Sequence, residues 1–476
     1  MKYLKFSSLI ILSVWSLLFF NSCDKKLDIA PQQSMDADIA LSTPENIKAT
    51  LVGAYVGVRS RWTMGSQFNE YSELLASIGD LQHVGSNREP LEIINKSITV
   101  NNSYVASSWI DSYHLINTVN NVLGVLSVVN EQDRNTVEGE SLFLRGWTYF
   151  ELTKLWGLPY IGGQENKQAG VPLVIKPTLG ASEALPVARN TVDECYTQII
   201  EDLTSAKNLL PENNGFWADT YAASAMLARV YLQQGKFAEA AVEANRVIES
   251  GKYQLMSAPK KAFNNTSNSV EDVFALQNNL TSNSIWLTER YASLNGMGRG
   301  DYQMGTSFFD IFESTDLRGQ IQENTQASFT WENIDSMYYI GVGSIRNGGI
   351  NTAKYSNYYA AIPVIRLAEM YLIRAEANSR LIASGSATTG PNTPLQDINL
   401  LRSRAQVSPI SGALTMEQIM DERYRELCWE GHRLHDLKRW QMNVGGLQFN
   451  AGNLILPVPQ QEMEINPLLE QNSFYQ

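Results

Sequence analysis

The segment Ser141 to Trp156 reads SLFLRGWTYFELTKLW and is apolar on more than one side. A helix of that pattern has no whole face to give to water, so other elements must surround it. The rest of the chain offers them. From Ile110 to Val129, apolar residues recur three and four apart at Ile110, Tyr113, Ile116, Val119, Val122, Leu123 and Leu126, the period of one helix face. Thr43-Pro44-Glu45 opens an earlier helix, with Thr43 as N-cap and Pro44 at the first helical position. Thr191 to Leu210 is amphipathic and stops at Pro211, and Val364 to Arg380 and Met416 to Trp440 continue the helical series.

One stretch has the form of a repeat unit. Tyr221 to Tyr253 reads YAASAMLARVYLQQGKFAEAAVEANRVIESGKY, two helical patterns broken by Gly235. Small residues at Ala225, Ala228, Ala240 and Ala244 let the two helices approach closely, as in a tetratricopeptide repeat of about 34 residues. No strict period runs through the chain. The expected fold is therefore mostly α, with irregular tetratricopeptide-like hairpins rather than a regular solenoid. Between the helices, Arg59 to Val100 and Lys260 to Ile362 are rich in Asn, Ser, Gly and aromatics. They read as long irregular stretches, the kind that carries function in a compact domain. Ala383 to Pro394 reads as a flexible connector without chemistry.

The formal net charge of -12 leaves no basic field to attract phosphates, which argues against nucleic-acid binding and against electrostatic docking on anionic lipid. At the N-terminus, Lys2 and Lys5 precede an apolar run from Leu9 to Phe20 that is short for a membrane span. Asn21-Ser22-Cys23 follows, with a small residue placed before a cysteine. Residues 1–22 thus read as a lipoprotein signal peptide and Cys23 as the lipidated residue; an ordinary signal with an incidental cysteine is the plainer alternative. Residues 23–40 read as a polar tether, and 41–476 as one domain with halves of about 41–260 and 261–476. Cys195 and Cys428 fit either buried small hydrophobes or a single disulfide.

Several blocks then resemble one family in order. They are Cys23 to Pro31 (CDKKLDIAP), Ser141 to Tyr160, Arg366 to Asn378 (RLAEMYLIRAEAN), Ile398 to Ala405 (INLLRSRA), Ile419 to Trp440 (IMDERYRELCWEGHRLHDLKRW), Leu456 to Pro467 (LPVPQQEMEINP) and Gln471-Asn472. Together they resemble the SusD/RagB family of outer-membrane lipoproteins. The resemblance implies helical hairpins supporting a loop-rich face, a surface-exposed lipid-anchored position in the outer membrane, and a lid role on a SusC-like TonB-dependent transporter. It implies glycan capture, with peptide or other cargo as the alternative and a helical-repeat scaffold without small ligand as the second.

No catalytic motif stands out. Glu430, His432, His435 and Asp436 could share a helix face as metal ligands do, but their placement also fits a structural charge network in which Arg433 pairs with Glu430 and Asp436. The run Gly341 to Gly349 (GVGSIRNGG) opens no helix and reads as a turn, not a phosphate cradle. The expectation is a binding protein, not an enzyme, with no metal and no cofactor. Candidate ligand platforms are the aromatics of the two long stretches: Trp62, Trp286, Tyr291, Trp331, Tyr338 and Tyr339. Flat rings pack against the C–H faces of sugars, and family members that bind glycans use aromatics in comparable loops. For each residue the alternative is ordinary packing.

Overall fold

The computed structural model describes residues 37–180, 183, 185–278, 286–323 and 329–476. The expected signal peptide, Cys23 and most of the tether lie outside the described residues.

A short turn of helix, α1 (Ala37–Ala40), leads into α2 (Pro44–Val58), where Thr43 accepts the Asn46 N–H at 3.2 Å as N-cap. Then come α3 (Gln67–Ala76), β1 (Leu81–His83), α4 (Arg88–Ile94), α5 (Ser103–Gly124) and α6 (Glu131–Trp156). The apolar segment ending α6 is central: Phe143, Leu144, Trp147, Tyr149, Phe150, Leu152, Leu155 and Trp156 are all buried. Each fully buried Leu or Phe contributes about 1.5–3 kcal/mol. Arg145, also buried on this helix, clasps Asp202 with two bonds of 2.8 and 2.7 Å.

The hairpins follow. Helix α7 (Val192–Leu209) begins with a reciprocal capping box between Thr191 and Glu194. Helices α8 (Thr220–Gln234) and α9 (Phe237–Glu249) are joined through Gly235 at φ 72°, a left-handed conformation suited to a residue without Cβ. Ala222, Ala225, Ala228, Ala240, Ala241 and Ala244 are fully buried where these helices meet. The helices pack in sequence, α6 on α7, α7 on α8 and α8 on α9.

The second half brings β2 (Asp272–Leu276), α10 (Trp286–Tyr291), β3 (Tyr302–Met304), β4 (Ile321–Gln322), β5 (Tyr338–Val342), β6 (Asn347–Thr352) and β7 (Ile362–Arg366). Strands β1 and β3 pair antiparallel, as do β2 with β7 and β5 with β6, whereas β4 runs parallel to β5. Of the run Gly341 to Gly349, expected as a turn, only residues 343–346 turn the chain, joining β5 to β6; Gly341 and Val342 end β5, and Asn347 to Gly349 begin β6. Helices α11 (Leu367–Ala383), α12 (Pro394–Arg404), α13 (Met416–Leu427), α14 (Arg433–Arg439) and α15 (Gln460–Ile465) complete the chain, with α9 against α11 and α11 against α12 and α13. One apolar cluster takes residues from Leu41 to Leu469, so both halves share it.

Three expectations need correction. Arg59 to Val100 is not mainly irregular, since it holds α3, β1 and α4. Lys260 to Ile362 carries most of the strands, whose short lengths leave little periodic signal. Met416 to Trp440 is two helices, not one. Trp429 (φ 67°) and Gly431 (φ 83°) turn the chain between them. The turn is held from outside: Tyr355 OH donates to the Trp429 carbonyl at 2.8 Å, and Lys354 Nζ to the Cys428 carbonyl at 2.8 Å.

Candidate functional site

Helix α2 ends at Val58, and the chain then turns sharply through Arg59 to Ser66. Thr63 fastens the turn by donating its hydroxyl to the Gly57 and Val58 carbonyls at 2.7 and 2.8 Å. Ser60 ties it to α5 through Asp111 at 2.9 Å. Two side chains of this fixed turn meet α10. The Arg61 guanidinium lies 4.3 Å from the Trp62 ring centre and 3.9 Å from that of Trp286. Tyr104 of α5 closes the group, edge-on to Trp62 at 5.2 Å and 4.9 Å from Arg61. Arg290 Nη2 holds the Tyr104 hydroxyl at 2.8 Å, and Arg290 itself is bound to Asp301 at 2.6 Å. Such cation–aromatic contacts contribute from about 0.5 kcal/mol when exposed to about 2 when desolvated. Trp62 and Trp286 are both half-buried, neither enclosed in the core.

The structure therefore brings Trp62 and Trp286 together and separates the other candidates from them. Tyr291 is fully buried between Tyr302 and Tyr355, at ring distances of 5.1 and 5.4 Å. Tyr338 is fully buried too, its hydroxyl accepting from Trp429 Nε1 at 2.9 Å. Tyr339 is buried with its hydroxyl accepting from the Ser293 N–H at 2.9 Å. Alternate positions on β5 expose only one face of a half-buried strand; here both tyrosines are enclosed, so neither presents a ring to a ligand. Trp331 is half-buried in a separate small cluster with Phe329, Ile334 and Tyr339. Arg61 and Tyr104 were not singled out from sequence. The signal for Arg61 lies in Arg59-Ser60-Arg61-Trp62, two cations beside an indole in an acidic chain. Tyr104 has none, because only the tertiary fold brings α5 there.

The C-terminal charge block is structural in a way that differs from the expected pairing. Glu430 is held by Arg366 and Lys354, with bonds of 2.7 and 2.6 Å, and Asp436 by Arg423 and Arg439 at 2.8 and 2.6 Å. Arg433 pairs with neither; it stacks 3.8 Å over Tyr424. Burial, reinforced by nearby cations, pushes the His432 and His435 imidazoles well below their usual pKa. Among the described residues no group of three His, Cys, Asp or Glu side chains is arranged to hold a metal. Cys195 and Cys428 are both free and buried, Cys195 against the Val171 carbonyl and Cys428 against the Tyr338 hydroxyl at 3.4 Å.

Helical hairpins that carry a fixed, surface-reaching aromatic and arginine cluster define a class of helical-repeat protein with a loop-built face. The family comparisons agree with that class. Residues 25–232 match the model described as "Starch-binding associating with outer membrane", and residues 188–454 match the SusD family model. The chain belongs to the SusD family. It is similar to "SusD-like protein P2" of Formosa agariphila, at 26% identity over 90% of this chain and 92% of the relative. A segment covering 26% of this chain is 35% identical to 20% of the "Starch-binding protein SusD" of Bacteroides thetaiotaomicron. Among solved structures, a putative sugar binding protein from Bacteroides vulgatus superimposes with a TM-score of 0.75 at 27% identity, covering 91% of this chain and 99% of that one. The helical, repeat-like fold is that of the family.

Proposed function

We propose that this chain is a lipid-anchored outer-membrane protein that captures an oligosaccharide or polysaccharide at the Trp62–Arg61–Trp286 cluster and passes it to a SusC-like TonB-dependent transporter. The observation that carries the reading is the Arg61 guanidinium stacked between two half-buried indoles, Trp62 on the same hydrogen-bonded turn and Trp286 at the start of α10. Indoles offer wide apolar contact with few torsions to fix, and the guanidinium supplies donors for hydroxyl groups beside them. The names of similar proteins, which refer to starch and sugar binding, support the same ligand class. Trp331, in its own half-buried cluster, remains a candidate for a separate contact.

The test is calorimetry against a panel of neutral oligosaccharides, with Trp62→Ala and Trp286→Ala made singly. Each is expected to weaken binding about tenfold or more. Wild-type affinity in both variants removes the cluster from the binding site. Binding of peptides but no oligosaccharide moves the cargo from glycan to peptide. Co-extraction of a much larger outer-membrane protein in mild detergent tests the transporter.

A further inference from the structure

A cleft of ≈ 240 Å³ opens beside the C-terminal end of α2. Its wall is aromatic: Trp217 packs against Tyr55 with ring centres 4.6 Å apart, and beside it Phe216 is 54% exposed and Trp217 39%. The loop that bears them is pinned from below. The Ala218 N–H donates to the Tyr55 hydroxyl at 3.1 Å, and Asn214 Nδ2 donates to Glu140 Oε1 at 2.8 Å and to the Ala218 carbonyl at 2.9 Å. Two large aromatics held out to solvent on a fixed loop are ready to bind without ordering cost.

The polar end of the cleft is Arg59. Its Nη1 donates to the Gln277 carbonyl at 2.8 Å. Among the described residues no carboxylate lines the cleft and none pairs with Arg59. Burial alone depresses its pKa, with no acid to offset the lost hydration. That is a half-buried cation lacking a counter-ion in a chain of net charge -12. Arg61, two residues and at most about 7 Å of backbone further on, sits against indoles and also has no ion pair among the described residues. The volume falls below the ≈ 300–1,000 Å³ of drug-sized pockets and suits a single ring.

We propose that this cleft is a second saccharide subsite that selects an acidic sugar, with the ring lying on Trp217 and Phe216 and its carboxylate held by Arg59. The reading rests on saccharide capture as proposed above and adds the charge of the ligand. A guanidinium recognises a carboxylate through paired, charge-assisted hydrogen bonds, while the aromatic wall takes the apolar face of the ring.

The experiment is calorimetry of the full chain with oligogalacturonate, oligomannuronate and hyaluronan oligosaccharides, the fully methyl-esterified oligogalacturonate, and a neutral cello-oligosaccharide. Wild-type protein is expected to bind at least one acidic probe. Where that probe is oligogalacturonate, the ester binds about tenfold or more weakly, and higher salt weakens the acid form but not the ester. Arg59→Gln keeps a donor for Gln277 and is expected to bring the acidic probe down to the affinity of its uncharged counterpart. Trp217→Ala is expected to weaken acid and ester alike, with Phe216→Ala as the second variant should the first fail to fold. An Arg59→Gln protein that binds the acidic probe as wild type does overturns the proposal, as does wild-type protein that binds no acidic probe. A neutral glycan lost in Trp62→Ala but unaffected by Arg59→Gln and Trp217→Ala leaves the indole cluster standing and removes this subsite. An acidic glycan lost in Arg59→Gln but unaffected in Trp62→Ala and Trp286→Ala does the reverse.

Discussion

Arg61 and Trp286 lie in different halves of the sequence, yet the guanidinium carbon sits 3.9 Å from the indole centre. The contact joins the turn after α2 to α10 and sets the spacing of the Trp62 and Trp286 rings. Arg61→Ala is expected to leave the fold intact and to loosen that spacing. Intrinsic tryptophan fluorescence should then shift, and glycan affinity should fall about tenfold, less than in a variant lacking both indoles. Unchanged fluorescence and unchanged affinity together show that Arg61 does not organise the pair.

The helical part of the fold was legible because its signals are local. Thr43 and Gly235 mark helix ends with a side chain and a backbone conformation that act within a few residues, and both serve as read; Thr191, read only as the first residue of an amphipathic helix, is its N-cap. The break at Trp429 was not legible. Its left-handed conformation is fixed by Tyr355 and Lys354, more than seventy residues away in sequence. The same limit applies to the site. Six aromatics in loop-like sequence looked equivalent, and only tertiary packing distinguishes the enclosed Tyr338 from the half-exposed Trp286. Phe216 and Trp217 leave a readable trace, adjacent aromatics after Asn213-Asn214-Gly215, but they fall outside the two long irregular-looking stretches.

Arg366 is the centre of the buried charge network. It donates to Glu271 at 2.7 Å, to Glu426 at 3.0 Å and to Glu430 at 2.7 and 2.9 Å, and is itself 1% exposed. Removing one partner of a buried network strands the others in a medium that solvates charge poorly. Arg366→Met is therefore expected to destabilise by about 3–5 kcal/mol. Arg433→Met, which loses a stack on Tyr424 and, among the described residues, no ion pair, is expected to cost about 1 kcal/mol. Urea unfolding of the two variants measures the contrast; equal midpoints contradict it.

The lipid anchor is tested at Cys23. Intact-mass analysis of protein from native membranes is expected to show a chain beginning at Cys23 with added acyl mass. Cys23→Ala is expected to move the protein into the soluble fraction, because attached chains hold a protein to lipid by about 0.8 kcal/mol per buried CH₂. A mature chain that starts elsewhere and carries no acyl group contradicts this.

Glu73 should make stability depend on pH between about 4.5 and about 7. Burial raises its carboxyl from 4.5 to about 7, against the opposing Gly431 N–H, which it accepts at 2.8 Å. In that interval the folded chain holds a proton at Glu73 that the unfolded chain has released. Stability contributed by this group is therefore present below about 4.5 and lost as pH rises through about 7. Glu426 acts in the opposite sense and in another window. Burial pushes it up, but Arg404, Arg366 and Arg318 outweigh that and hold it well below 4.5, so its contribution is lost only in stronger acid. Glu73→Gln keeps an oxygen for the Gly431 N–H and carries no charge. It is expected to unfold at higher urea than wild type at pH 8, by roughly 1–3 kcal/mol, and to differ little at pH 4.5. A variant whose advantage is the same at both pH values would show that the Glu73 charge is not what the wild-type fold bears as the pH rises.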